Sequence, residues 1–390
     1  METVDVAIIG AGPAGATLAT LLAGRGRHVA LVDREVFPRD KLCGEFLSYD
    51  ALPLLERLGV AADLDRHGAP AISHCRVVGR RGTYEFEFPR PARGVSRRLL
   101  DDLLLRAALH SGARDFTGWT AEAVAPDVTI TRGEQRNVLQ ARVIVGAWGR
   151  WGRFDAQLGR RFVRDRARRN FGFKRHYRNR TVTSGAAQTP GGACIDLYSF
   201  DRGYLGVSPV EGGITNICGL VHARRLAGLK GGWDAFVDSL RRDERQLDAL
   251  YAAHEPAQET FLSSDPVIFR PRAPVENGIV MIGDASGIVD PLTGNGMAMA
   301  IQSAFVAAPA IERMLANADR AGAEQRYLEA HQAFFSSRIR WSRRIASLLS
   351  RPALLETALR AVTTPRAGQF LLTRTRASEE AVARLAGTWF

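Results

Sequence analysis

At 390 residues, with 46% apolar and 24% charged side chains, the chain can bury a large core and is too apolar for wholesale disorder. The net charge is +12, yet no uninterrupted apolar run reaches the roughly 18 residues of a membrane span, and no recognised nucleic-acid module accompanies the basic surface, so no nucleic-acid partner is expected. Cys43, Cys75, Cys194 and Cys218 have neither C-x-x-C spacing nor a nearby His pair, which argues against a metal site and against a disulfide framework.

In chain order, Val4 to Ile9 is an apolar run of strand length, and it starts so early that no targeting segment fits before it. A reducing cytoplasm is therefore the expected setting. Gly10-Ala11-Gly12-Pro13-Ala14-Gly15 follows as G-x-G-x-x-G, and Ala16 to Ala23 continues as a helix of small and apolar residues. Gly10 permits the tight turn, Gly12 lets backbone approach a pyrophosphate, and Gly15 lets the helix pack close to the strand. A second strand, His28 to Val32, leads into Asp33 and Arg34, and a carboxylate there suits the ribose hydroxyls of a dinucleotide. Lys41-Leu42-Cys43-Gly44-Glu45-Phe46 comes next, with a helix predicted over Phe46 to Leu58 and Glu45 at its start. Ile72 to Val78 and Tyr84 to Phe88 are strand-like. Gly94 to Asp101 opens a helix running to about His110, with Arg97 and Arg98 in its first turn, where the dipole disfavours cations unless an anion sits nearby. Ala121 to Val124 is a short strand candidate, and Ala141 to Val145 precedes Gly146-Ala147-Trp148-Gly149, with Trp151 beyond.

The middle of the chain is basic, with Asp165 the single acid between Gly159 and Arg180. Ala193 to Phe200, Tyr204 to Val210 and Ile214 to Val221 predict further strands of one antiparallel sheet, separated by Gly and Pro turns. Residues from about 231 to 255 and from 323 to 361 predict helices. Between them, Ile279 to Ile282 is a short buried strand followed by Gly283-Asp284. Pro291, Gly294, Asn295 and Gly296 form a turn, and Met297 to Ala308 runs as an apolar helix up to Pro309. Arg338, Arg340, Arg343 and Arg344 cluster beside Trp341 near the C-terminal end. That pattern fits a peripheral membrane contact, or a solvated face packed back on the body through its leucine side.

With these segments assembled, the chain resembles the flavoprotein superfamily of aromatic hydroxylases, flavin halogenases and geranylgeranyl reductases. The resemblance implies a Rossmann-like α/β FAD-binding domain of the glutathione-reductase type, an inserted antiparallel sheet for substrate, and a C-terminal helical segment. It places the ribityl chain on Asp284 and the flavin N1 and C2 carbonyl against Gly294, Asn295, Gly296 and Met297. Lys41 to Glu45 resembles the K-x-C-G segment of the reductase and halogenase branches, which brings Cys43 and Gly44 close to the ring and makes Cys43 and Glu45 the candidate catalytic groups. Glu45 would serve as a proton donor or acceptor if burial raised its pKa. Arg97 takes the place of the arginine that faces the FAD phosphates, and Val124 passes the adenine. Gly10, Gly12, Pro13, Ala14, Gly15, Asp33 and Arg34 complete the expected cofactor shell.

One departure concerns Trp148, which stands where hydroxylases carry the Asp of an Asp-Gly pair, so NAD(P)H as reductant is in question and an electron-donor protein is the alternative. The W-x-W-x-I-P segment of flavin halogenases is absent. The expected division is an FAD-binding domain from 1–70, 92–160 and 270–330, a substrate domain from 71–91 and 161–269, and a helical tail from 331–390. His176 and Tyr204 fall in the expected roof over the ring. Three functions fit: a monooxygenase or oxidase of a small lipophilic aromatic, polyketide or isoprenoid substrate, which family prevalence favours; a reductase of isoprenoid carbon–carbon double bonds; and an FAD-binding interaction protein with little turnover. Fold alone does not choose among them.

Overall fold

The computed structural model describes residues 1–389 apart from 151, 165–169, 181–192, 260, 317–318 and 362–365. Trp151 and Asp165, singled out in the sequence, lie outside the described residues.

Two sheets organise the chain. In the first, the strands Ile279–Met281, Gln135–Gly146, Glu2–Ile9, Val29–Asp33 and Arg114–Thr117 lie side by side in that order, all parallel. Such a sheet needs cover on both faces. The helices Pro13–Ala23, Arg97–His110 and Gly296–Leu315 supply one side, interlocking through Leu18, Leu22, Leu100, Leu104, Ile301 and Phe305. Strands Thr120–Ala123 and Val128–Arg132 fold over the other, around Val4, Ile130 and Ile144. Each fully buried leucine in such a layer contributes roughly 1.5–3 kcal/mol. The register aligns Ile9 with both Val32 and Gly146, and Gly146 with Met281, so four strands end on one edge. Ligands of doubly wound folds bind outside that carboxyl edge.

The second sheet runs His254–Pro256, Asn170–Asn179, Ile214–His222, Gly203–Val210, Ala193–Phe200, Ala71–Val78, Thr83–Gly94, Phe46–Leu47. It is antiparallel except for one pair, Ala193–Phe200 with Ala71–Val78, which is parallel. The Asn170–Asn179 strand lies inside the basic stretch, where charge hid its alternation. Phe173, Tyr177, Leu205 and Ile217 bury one face against the helices Gly232–Asp243 and Arg245–Ala252. The opposite face, carrying Lys174, His176, Asn216 and Cys218, turns toward the Cys43 segment.

Two expected elements differ. Phe46 to Leu58 is not one helix but a two-residue strand, a 3-10 turn at Tyr49–Ala51 and a short helix at Leu52–Arg57, so Glu45 precedes a strand. The apolar helix does not stop at Pro309 but continues from Gly296 to Leu315, because its flanks are buried against neighbours that outweigh one missing donor. The long Arg320–Leu349 helix packs back on the body through Ala323, Tyr327, Phe335, Ser342 and Leu349, while Arg340 and Arg344 stay on its outer side. Among the described residues, no helix is long and apolar enough to cross a membrane.

Candidate functional site

The glycine turn leaves the carboxyl end of the first strand. Gly10 has φ +113°, and a Cβ there would lie 2.3 Å from the Ala147 carbonyl oxygen. A Cβ on Gly15 would lie 1.8 Å from the Gly10 oxygen, so the helix can approach only with glycine. Gly12 differs: its Cβ would meet only Nη2 of Arg97, at 3.6 Å. The Gly12 flank is therefore open and faces a cation. Asp33, at the end of the next parallel strand, accepts from the amides of Ala11 (2.9 Å) and Glu35 (3.0 Å) and ties the turn to that strand. Arg97 forms a two-pronged pair with buried Asp101 at 2.7 and 2.6 Å, and Arg39 bonds the same carboxylate at 2.8 Å. The Leu99 amide donates to Ser96 Oγ at 3.1 Å, capping this helix.

The downstream segment meets this turn directly. A Cβ on Gly283 (φ +59°) would stand 3.0 Å from that of Ala14. Asp284 is half-buried and makes no side-chain hydrogen bond among the described residues. Burial raises its carboxyl above the ordinary range, against the opposing pull of Arg150, Arg272, Arg97 and Lys41. Lys41 is itself pushed down to about 8 by burial and by Arg39, Arg97 and Arg150, with Asp33 pulling the other way. Five cations thus crowd a cleft holding three carboxylates, Asp33, Asp101 and Asp284. Buried Nε atoms of Arg39 and Arg272 have no partner among the described residues. A diphosphate supplies the missing acceptors and charge, so the residues present fit FAD.

Gly294 (φ +62°) turns the chain into the Gly296–Leu315 helix, and a Cβ there would strike the Phe46 ring at 2.6 Å. The turn and the Cys43–Phe46 segment are therefore in contact. Asn295 does not face the cleft with its amide: Nδ2 donates to the Thr375 carbonyl at 2.5 Å, and buried Oδ1 has no partner among the described residues. Met297 is buried in the main core.

Glu45 joins three segments. Its backbone is left-handed (φ +55°), and its carboxylate accepts from Lys174 Nζ at 2.5 Å, His176 Nε2 at 2.7 Å and the Arg97 amide at 2.9 Å. Burial alone would raise this carboxyl, but the His176 hydrogen bond and the Lys174 charge hold it below the ordinary value. The condition attached to Glu45 as a proton donor, a raised pKa, is not met. Lys174 also donates to the Lys41 carbonyl at 3.2 Å, and Asn216 Nδ2 donates to the Cys43 carbonyl at 3.0 Å. A Cβ on Gly44 would meet nothing within 4 Å. Lys174 and Asn216 escaped the sequence reading, their only signal being a cationic and an amide side chain among strand residues.

Other expected residues make packing or surface contacts. Val124 is buried in the second cluster of the first sheet, and Arg34 is exposed and paired with Glu35. Trp148 is a packing aromatic: its ring fills the space above Gly146 and Gly152, stands 5.2 Å from Phe154, and its Nε1 donates to Asp155 at 3.3 Å. Tyr204 donates to Asp290 at 2.5 Å.

Residues 3–336 match the FAD binding domain family. The menaquinone reductase of Mycobacterium tuberculosis (strain H37Rv) is 30% identical over 384 residues, covering 91% of this chain and 86% of its own. Among solved structures, the myxobacterial chondrochloren halogenase superposes with a TM-score of 0.76 at 20% identity, over 100% of this chain and 97% of that one. A geranylgeranyl bacteriochlorophyll reductase-like protein of Thermoplasma acidophilum reaches 0.74 at 19% identity, over 100% and 97%. At such identities the two structures speak to fold alone.

Proposed function

The chain belongs to the FAD binding domain family and is an FAD-dependent oxidoreductase, and from that premise we propose that it reduces carbon–carbon double bonds of a lipophilic, isoprenoid-like substrate. The carrying observation is the buried Glu45–Lys174–His176 assembly beside the Cys43–Gly44 backbone. Adding hydrogen across an unactivated double bond takes an electron pair and a proton source held away from bulk water. Reduced FAD, when bound, would supply one hydrogen together with the electron pair as hydride, and a protein acid the second hydrogen as a proton. Lys174 Nζ has three N–H donors, of which two are engaged, by Glu45 and the Lys41 carbonyl. Glu45, held as the anion, orients both Lys174 and His176 and acts as a positioning residue. Cys43 and Gly44 contribute backbone to the floor of the site.

The whole-length similarity to a menaquinone reductase moves this reading ahead of the monooxygenase that family prevalence favoured, since a lipid quinone has the required apolar character. Gly10, Gly12, Pro13, Ala14, Gly15, Asp33, Arg97, Asp284, Gly294, Gly296 and Met297 are proposed to hold the cofactor through backbone and charge, with Val124 and Arg34 at its margin. Packed Trp148 supports reduction by a protein electron donor over NAD(P)H.

The test is anaerobic incubation of dithionite-reduced holoenzyme with an isoprenoid quinone, read by mass spectrometry. After the quinol ring has been reoxidised in air, a product heavier by two hydrogens per side-chain double bond reduced is expected, with K174M slowing its formation about 100-fold while the flavin stays bound. A product that forms only with oxygen and gains an oxygen atom replaces this reading with the monooxygenase. Rapid bleaching of the flavin by NADH or NADPH before any dithionite removes the case for a protein donor.

A further inference from the structure

A second cavity, of about 690 Å³, opens where the Gly203–Val210 and Ile214–His222 strands meet residues 268–271 and the C-terminal end of the Arg320–Leu349 helix. Four arginines line it: Arg202, Arg270, Arg343 and Arg351. Asp290 is the one carboxylate among the described lining residues, and it is already engaged by the Tyr204 hydroxyl at 2.5 Å and the Leu292 amide at 3.2 Å. Arg343 feels the charge of Asp290 but makes no close ion pair with it, its Nε is buried without an acceptor among the described residues, and Arg351 has no ion-pair partner among them. A guanidinium with unused donors is a receptor for phosphate or carboxylate. The rest of the lining mixes apolar Leu220, Ile268, Phe269 and Ala346 with polar Asn170, His222, Ser347 and Ser350.

The cavity shares a sheet face with the Glu45 assembly. Side chains two apart on a strand share a face, so Tyr204, Gly206 and Ser208 stand beside Leu220, Cys218 and Asn216, which stand beside Gly172, Lys174 and His176. The cavity is at the Tyr204–Leu220 end and the assembly at the Asn216–His176 end. Four residues of strand separate them, roughly 14 Å. Apolar side chains line the way between them: Leu42 packs over Gly172, its Cδ2 2.8 Å from where a Cβ would stand, and Leu197 flanks Gly206 from the neighbouring strand.

We infer that the arginine cavity binds the anionic head of an amphiphilic substrate, whose apolar body runs along this sheet face toward Cys43 and Lys174. The inference rests on the proposed reduction of a lipophilic substrate and adds a head group to it, a phosphate or a carboxylate. A free inorganic anion would leave the apolar part of the lining and most of the volume unused.

The experiment is calorimetric titration of the oxidised holoenzyme with farnesyl phosphate, farnesoic acid, farnesol and inorganic phosphate. At least one farnesyl anion should bind about tenfold or more tighter than farnesol, with inorganic phosphate weaker than either. R351M, at the exposed rim, and R343M should each remove most of that preference, and R343K should retain part of it, with the melting temperature and flavin spectrum as folding controls. Equal binding of anion and alcohol, or a preference that survives both methionine variants, overturns the inference. Binding is read without turnover: an arginine-dependent preference with no reduction of the bound chain sinks the reductase reading and leaves the cavity standing, whereas reduction without any preference does the reverse.

Discussion

Glu45 holds a left-handed backbone that costs a non-glycine residue about 1–3 kcal/mol, and its carboxylate makes three short contacts in return. Removing one member of a buried ion pair costs roughly 3–5 kcal/mol, so E45Q should lower unfolding free energy by about that amount in urea at pH 7. Because the folded carboxyl sits below its unfolded value, its contribution is full above the ordinary carboxylate range and is lost as pH falls through the folded value. The gap between wild type and E45Q should therefore close below about pH 4. Asp290 has the opposite sign. Burial pushes it up to about 6, against Tyr204, the Leu292 amide and Arg343, so its contribution is present in acid and lost as pH rises through about 6. D290N should leave stability unchanged near pH 4 and raise it by up to about 3 kcal/mol at pH 8, measured by urea unfolding at both values. Gly10, Gly12, Gly15, Asp33 and Asp284 were legible because their spacing is local. Lys174 and Asn216 were not, because they meet Glu45 and Cys43 only through the pairing of two strands far from the N-terminal loop.

At the scale of elements, the turn and first helix separate two roles of glycine. G15A drives a Cβ to 1.8 Å from the Gly10 oxygen and should prevent folding of the strand–helix unit, leaving insoluble or colourless protein. G12A meets only a guanidinium at 3.6 Å and should fold with a near-normal melting curve yet retain less flavin, read as the ratio of visible to ultraviolet absorbance. Strand–turn–helix patterning in the first sheet was visible in sequence because apolar runs and glycines coincide there. The Asn170–Asn179 strand was not, because Lys174, Arg175 and Arg178 mask its alternation, two of them paired with distant partners. Pro309 misled in the other direction: burial on both flanks carries its helix onward to Leu315.

Across the whole molecule, the C-terminal helices return to the flavin turn. Asn295 bonds the Thr375 carbonyl, Arg376 bonds the Thr293 carbonyl at 2.6 Å, and the Ala377 amide bonds Asp50 at 2.9 Å. Deleting residues 366–390 removes these buried contacts and should cost on the order of 3 kcal/mol, seen as a lower melting temperature together with faster flavin loss on dilution. Sequence placed helices here, but the amphipathic pattern alone could not say whether their apolar side meets lipid or protein.

The first sheet also imposes an order on synthesis. Its opening helix, Pro13–Ala23, is covered on one flank by Arg97–His110 and on the other by Gly296–Leu315, and the second cover is made about 270 residues later. At roughly 5–20 residues per second a ribosome needs tens of seconds to cross that interval. Throughout it, Leu18, Leu21 and Leu22 on the nascent chain have no native partner from that helix, which makes the cradle a natural client for chaperones and sets a translation-coupled delay before any cofactor can be captured.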